Sequence, residues 1–272
     1  EGLDFVKKVN PRYVVIGPEK YLQEGFPDKL REENIPCIGP TSLLARIETS
    51  KLFCRNFLKQ NNLDFLSPMF FQITRETDDP SLLKYFGILD NKFVVKPDGL
   101  TGGKGVKIFL NDNDSALTYV RDILEKDYFL VLEEYLEGEE FIQLSFCDGK
   151  NIVHCPVVKD FKKLDKNLNI NTGSMGCIIQ KENVFKNVFK KDINEGREYN
   201  KNVMNFLSKD DDYGYRGILY GSYISTKNGV KLIEYNARFG DPEAIPVLDL
   251  LDSDLFEIFD AITTQSLEKI DV

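Results

Sequence analysis

The sequence predicts a mixed α/β and α+β fold, and three stretches carry that prediction. Tyr13-Val-Val-Ile-Gly17 is a continuous apolar run ending in glycine, the pattern of a buried parallel strand that delivers a loop. Phe93 to Phe109 reads as strand, glycine-rich loop, strand, with β-branched runs on either side of Lys96-Pro-Asp-Gly-Leu-Thr-Gly-Gly-Lys-Gly105. Lys227-Asn-Gly229 separates two further β runs, 216–225 and 230–237, and Asn-Gly between such runs is a strong hairpin signal.

Taken in order, the strand at Tyr13 to Gly17 leads through Gly17-Pro18-Glu19 into a helix to about Asn34 and a second brief strand, Pro36 to Gly39. This is part of an α/β unit whose first strand and turn are expected to lie outside the sequence, which starts without methionine and in mid-pattern. Thr41 or Ser42 caps a long helix through about Asn61, with Leu43, Leu44, Ile47, Leu52, Phe53, Phe57 and Leu58 as its apolar stripe. Lys51 sits on that helix beside Ser50. A helix lysine is ordinarily just solvated, and this one matters only if a phosphate lies opposite.

Ser67-Pro68 breaks the pattern, and Met69 to about Lys126 reads as strand, helix, strand, loop, strand, helix: a small subdomain with the glycine loop at its tip. Glycines let backbone N–H groups approach an anion, and Lys96 and Lys104 can neutralise a polyphosphate. The loop has neither the G-x-x-x-x-G-K-[ST] nor the G-x-G-x-x-G spacing, and taken alone it is more often a mobile hairpin than a ligand site. Phe129 to Leu136 is apolar and then acidic, followed by Gly138-Glu139-Glu140 and an alternating strand, Phe141 to Phe146. The end of the buried strand at Glu133 could receive an adenine and Glu140 a ribose hydroxyl; an acidic turn is equally consistent.

Val157 to Lys166 is basic, as solvated loops often are, and Asn171-Thr-Gly-Ser-Met-Gly176 is an anion nest or a turn. His154, the only histidine, is read as structural, which leaves no histidine-rich metal site. A helix is expected from about Val184 to Leu207. In the last strand, alternation would place Leu232, Glu234, Asn236 and Arg238 on one face, and a carboxylate and an amide oxygen so placed suit Mg²⁺ beside phosphates. Phe239-Gly-Asp-Pro-Glu243 then turns into a final helix to about Thr263.

The chain's 272 residues can hold one large or two to three small domains, and 42% hydrophobic with 29% charged residues is ordinary for a folded protein. The formal charge of −9 argues against a nucleic-acid surface. Five cysteines, odd in number and without C-x-x-C, argue against a disulfide framework and for a reducing, cytoplasmic compartment. No apolar run reaches membrane-spanning length, and Glu1-Gly-Leu-Asp-Phe5 is unlike a signal peptide.

Together these segments resemble the ATP-grasp superfamily and, within it, the phosphoribosylamine–glycine ligase (glycinamide ribonucleotide synthetase) family of purine biosynthesis. The resemblance runs through Val15-Ile-Gly-Pro-Glu19, Ile38-Gly-Pro-Thr41, Ala45-Arg-Ile-Glu-Thr-Ser-Lys51, Val95 to Val106, Glu133-Glu-Tyr-Leu-Glu-Gly-Glu-Glu140, Asn171 to Gly176 and Glu234-Tyr-Asn-Ala-Arg-Phe-Gly-Asp-Pro-Glu243. It implies ATP held between two α+β subdomains, after a partial Rossmann-like α/β domain at 1–46. The ATP-grasp domain would run over 47–265 with 68–128 as a mobile lid, and 266–272 would begin a further region.

The resemblance further implies that Lys51, Lys96 and the loop of Gly99, Gly102, Gly103, Lys104 and Gly105 hold the phosphates. Glu133, Glu134, Tyr135 and Leu136 would line adenine, Glu140 would hold ribose, and Glu234 with Asn236 would bind Mg²⁺, with Mn²⁺ as an alternative ion. Pro18 and Glu19 would lie near 5-phosphoribosylamine. Asp160, Lys162, Thr172, Gly173 and Arg238 would surround the carboxylate of glycine, which is activated as glycyl phosphate. The expected partners are these small molecules, with no nucleic acid and no membrane, in a monomer. The alternatives are an ATP-grasp ligase for another carboxylate, and a non-catalytic module or half-enzyme completed by a second chain. Two departures bear on substrate affinity more than on ATP: Asp160-Phe-Lys-Lys163 where the family has Asp-His-Lys-Arg, and Gly173-Ser174 where it has Gly-Gly.

Overall fold

Residues 1–100, 105–126, 129–161, 174–179, 185 and 187–270 are described by the structure, a computed structural model. The amino-terminal unit consists of α1 (Gly2–Val9), β1 (Val14–Val15), α2 (Glu19–Gln23), α3 (Phe26–Glu32), β2 (Cys37–Ile38) and α4 (Ser42–Thr49). β1 and β2 pair in parallel, Val14 beside Cys37, as the apolar runs imply. The expected single helix to Asn34 is two helices, because Gly25 adopts φ +69° and Phe26-Pro27 starts afresh. The expected long helix after Thr41 also divides. Ser50 is extended (φ −141°, ψ 113°), and its Oγ accepts the Phe53 N–H at 3.0 Å to begin α5 (Lys51–Gln60).

A small unit follows, with β3 (Phe70–Thr74), α6 (Asp79–Ile88), β4 (Lys92–Pro97), β5 (Lys107–Leu110), α7 (Asn113–Leu124) and β6 (Phe129–Glu134). Its antiparallel sheet, in the order β3-β6-β4-β5 among the described residues, packs on a core of its own that includes Phe86, Phe93, Val120 and Leu132. Asp78 and Asp112 cap the two helices through Ser81 and Ser115 N–H groups. Because β6 lies between β3 and β4, the unit extends to Glu134. The expected segment 68–128 omits the strand on which β3 pairs.

The large unit comprises β7 (Glu139–Asp148), β8 (Ile152–His154), β9 (Val158–Asp160), β10 (Cys177–Ile179), α8 (Lys190–Leu207), β11 (Arg216–Thr226), β12 (Gly229–Asn236), α9 (Ala244–Asp249) and α10 (Leu255–Thr264). Its antiparallel sheet has the order β10-β9-β7-β11-β12 among the described residues, with β8 also on β7. One face carries Phe141, Leu219, Tyr223, Leu232 and Tyr235 into a core shared with α4, α5 and α8. The other carries Ile142, Leu144, Phe146 and Ile218 against α9 and α10. α8 starts at Lys190 rather than Val184, since Asp192 Oδ2 accepts the Phe189 N–H at 3.0 Å and closes its first turn. The expected final helix is likewise two, with Asp254 accepting the Phe256 N–H at 2.7 Å to start α10. Among the described residues no helix is long and apolar enough to cross a membrane.

Candidate functional site

The break at Ser50 turns α5 so that its amino end faces the end of β4. Asp98, just beyond β4, receives the Ser50 hydroxyl at 2.9 Å and the Leu52 N–H at 3.0 Å, and Lys51 Nζ donates to the Gly99 carbonyl at 2.9 Å. The base of the glycine loop is thereby tied to a helix N-terminus, a place that favours negative charge. Burial pushes the Lys51 ammonium below its ordinary range, against the pull of Glu234 and Asp98. Gly99 (φ +89°) and Gly105 (φ +85°) bound the loop, while Gly102, Gly103 and Lys104 lie outside the described residues. A cleft of about 480 Å³ opens beside this base, lined by Arg46, Thr49, Ser50, Asp98 and Gly99 among others.

Lys96, near the end of β4, points to Glu133 at the end of β6, Nζ to Oε2 at 2.7 Å. Arg55, one turn after Lys51, reaches the same carboxylate with Nε to Oε1 at 2.7 Å and Nη2 to Oε2 at 3.1 Å. All three side chains are buried. Burial alone would raise the Glu133 carboxyl, yet the two cations overcome it and hold the group at about 2. The Glu133 side chain is therefore committed to Arg55 and Lys96 rather than turned toward a base. Glu134, the last residue of β6, and Tyr135 and Leu136, in the connection between the two sheets, are half-buried, and Tyr135 N–H donates to the Lys92 carbonyl at 3.1 Å.

β12 differs from strict alternation at one position. Tyr223 pairs with Leu232 but Ser222 pairs with Glu234, so Ile233 is an extra residue in a β-bulge. Leu232 therefore faces the core with Tyr235 and Ala237, and does not share a face with Glu234 as simple alternation predicts. Glu234 and Asn236 stay on one face, opposite Ser222 and Tyr220. Glu140, exposed at the start of β7, is on this face as well, two residues from Ile142. Ser222 Oγ is buried and has no hydrogen-bond partner. Among the described residues there is no group of three or more His, Cys, Asp and Glu set to hold a metal. One carboxylate and one amide oxygen beside a spare hydroxyl fit Mg²⁺, which keeps waters and phosphate oxygens as its other ligands.

Beyond β12, Arg238 gathers two carboxylates. Its Nε donates to Glu19 Oε2 at 3.0 Å and its Nη2 lies 3.2 Å from Glu48 Oε1, while Glu48 Oε2 accepts the Ala237 N–H at 2.7 Å. Burial raises the Glu48 carboxyl to about 7, with Arg238 and the Ala237 N–H opposing. Pro18 precedes Glu19 as the residue before α2, and it is Glu19 that reaches Arg238. Asp160, at the end of β9, accepts the Ser174 hydroxyl at 2.5 Å on Oδ1, and its buried Oδ2 has no partner. Serine at this departure from Gly-Gly thus adds a hydrogen bond to Asp160. Lys162, Thr172 and Gly173 lie outside the described residues.

Sequence reasoning passed over Arg55, Glu48 and Asp98. A signal existed for Arg55, a charge four residues from Lys51 and so on the same helix face, next to the apolar stripe. Glu48 lay inside a quoted segment, Ala45 to Lys51, without a role.

Residues 49–244 match the family model described as the ATP-grasp (A) domain of phosphoribosylglycinamide synthetase, and residues 1–48 match its N domain. The two models meet beside Ser50, where α4 gives way to α5. Similar curated proteins include the phosphoribosylamine–glycine ligases of Methanocella arvoryzae, 38% identical over 99% of this chain, and Methanocaldococcus jannaschii, 39% identical over 99%. The chain spans 62% of the length of each. Among solved structures, phosphoribosylamine–glycine ligase from Thermotoga maritima superposes with a TM-score of 0.74 at 25% identity, covering 96% of this chain and 64% of that one. D-alanine–D-alanine ligase from Bacillus anthracis, complexed with ATP, superposes with a TM-score of 0.69 at 18% identity, covering 99% and 85%, and shows the same fold. With an ATP-grasp fold and both models matched in sequence order, the chain belongs to the phosphoribosylglycinamide synthetase family.

Proposed function

We propose that this chain binds ATP between its two sheets and joins glycine to 5-phosphoribosylamine, giving glycinamide ribonucleotide, ADP and phosphate. The observation that carries the reading is the meeting of Lys51, Lys96 and the glycine-loop base with β12 beside Glu234, through the pull of Glu234 on Lys51 and the bond from Arg55 to the Ile233 carbonyl. The lysines and loop N–H groups neutralise the phosphates. Glu134, Tyr135 and Leu136 receive the base at the inter-sheet connection, and Glu140 the ribose. Glu234 and Asn236 would hold Mg²⁺, which when bound neutralises phosphate charge.

The glycine carboxylate attacks the γ-phosphorus and ADP leaves; the amine of phosphoribosylamine then attacks the acyl carbon and phosphate leaves. Arg238, fixed by Glu19 and Glu48, orients the reacting carboxylate, and Glu19 with Pro18 faces the phosphoribosylamine. No covalent nucleophile is required of the protein, whose work is positioning and charge neutralisation. The small unit, residues 68–134, closes over the nucleotide to exclude water.

The test is Mg²⁺-dependent ADP formation with glycine and freshly generated 5-phosphoribosylamine, run beside calorimetric ATP binding. ADP release that requires both acceptors supports the reading. Tight ATP binding with no turnover keeps the nucleotide site and removes the ligase activity from this chain.

A further inference from the structure

Lys96 faces a difficulty in the arrangement described. A buried lysine paired with a buried glutamate at 2.7 Å is held firmly, and moving it to a phosphate would strand a desolvated carboxylate. The site contains a second cation that removes the difficulty. We propose that Arg55 is a positioning residue that holds the Glu133 carboxylate by itself when Lys96 passes to a nucleotide phosphate; this deepens the ATP-binding reading and rests on it.

Three features support this role. Arg55 meets both oxygens of Glu133, whereas Lys96 meets one, so the carboxylate keeps a two-point partner after Lys96 leaves. Arg55 is also anchored independently of Glu133, since its Nη2 donates to the Ile233 carbonyl at 2.7 Å. That carbonyl belongs to the bulge residue, so the irregularity that separates Leu232 from the face of Glu234 also supplies the anchor. Finally, Arg55 keeps a donor in hand beyond Glu133 and Ile233, since its Nη1 is buried without a partner.

The geometry separates the duties of the lysines and the arginine. Lys51 is held by a neutral carbonyl and can turn to a phosphate at little cost. Lys96 can do so only because Arg55 stays behind. Arg55 itself, pinned between β6 and β12, touches no ligand.

The experiment measures calorimetric affinity for Mg²⁺-ATP and for adenosine on the full chain and its variants, with thermal unfolding as the check on folding. Arg55→Met leaves Lys96 locked to Glu133 and is expected to weaken ATP about tenfold or more, with adenosine affinity unchanged. Adding Glu133→Gln to Arg55→Met frees Lys96 and is expected to return ATP affinity to within about threefold of the parent. Should Arg55→Met not fold, Glu133→Gln alone decides the matter. The proposal requires ATP affinity at least equal to the parent's, while a carboxylate needed to place Lys96 predicts a loss. Equal losses of ATP and adenosine, or a double variant as weak as Arg55→Met, overturn the proposal. Parental ATP affinity in Arg55→Met overturns it alone and spares the nucleotide site. An unaltered chain that fails to bind ATP overturns both.

Discussion

Arg238 Nε donates to Glu19 Oε2 at 3.0 Å across 219 residues of sequence, so the residue just past the last strand is fastened to the first helix after β1. The bond places the amino-terminal unit at the site instead of leaving it an appendage. Arg238→Lys keeps a charge but cannot reach Glu19, Glu48 and the Phe239 carbonyl together. Turnover is expected to fall about 100-fold with ATP affinity unchanged. Glu19→Gln, which weakens both the fastening to Arg238 and the proposed contact with phosphoribosylamine, should cost about tenfold and appear mainly in the KM for phosphoribosylamine. Steady-state kinetics beside ATP calorimetry distinguish the two, and a matching loss of ATP binding would contradict the assignment.

Glu234→Ala removes one of two oxygen donors from a half-buried position that contributes nothing to the hydrophobic core. Mg²⁺-dependent ADP formation should drop by at least about 100-fold while the melting temperature stays near that of the parent. Turnover at the parental rate would move the ion elsewhere.

Burial, with Arg197 and Lys201 nearby, lowers the His154 imidazole from its ordinary 6.5 to about 4, and its Nδ1 pairs with Ser145 Oγ at 2.8 Å. A depressed folded value means that the neutral form is favoured by folding. This contribution is complete above pH 6.5 and is lost as pH falls through 4. Glu48, raised to about 7, has the opposite sign: its contribution is complete below the ordinary glutamate value and is lost as pH rises through 7. In His154→Asn, urea unfolding should lose roughly 2 to 3 kcal/mol of the drop between pH 7 and pH 4. What remains should be the Glu48 slope, with stability falling as pH rises from 4.5 to 7. An unchanged pH profile would remove His154 from the account.

Gly138 lies in the connection between β6 and β7, and a Cβ there would collide with the Ser225 carbonyl oxygen, which is backbone and cannot step aside. Gly138→Ala is expected to cost about 2 kcal/mol or more. Because the connection joins the two sheets, ATP affinity should fall as well. A melting temperature equal to the parent's would show that the approach is looser than described.

The order of elements was legible before the structure because each is a short-range matter. The parallel pair β1 and β2, the subdomain from Met69 to Lys126 and the hairpin at Lys227 to Gly229 follow from apolar runs, turn residues and the twofold period of strands. The helix breaks at Gly25, Ser50 and Leu250 to Asp254 were not read, because a stripe of apolar residues continues across a break once both halves pack on one core. For the same reason the sequence does not assign β6 to the small unit: its apolar residues suit either sheet, and its pairing with β3 and β4 chooses one.

The glycine loop with its lysines and the pair Glu234 and Asn236 can be read from the chain alone, since these are residue types at fixed spacing within one segment. Tertiary packing sets which partners they meet. It turned Leu232 away from Glu234 through the bulge at Ile233, joined Arg55 to Glu133 across 78 residues, and lodged Glu48 between Arg238 and the Ala237 N–H. The reason is physical. Periodicity states which face of an element a side chain takes, whereas the balance of burial against charge that makes Glu133 a holder of cations exists only once separate elements have excluded water together.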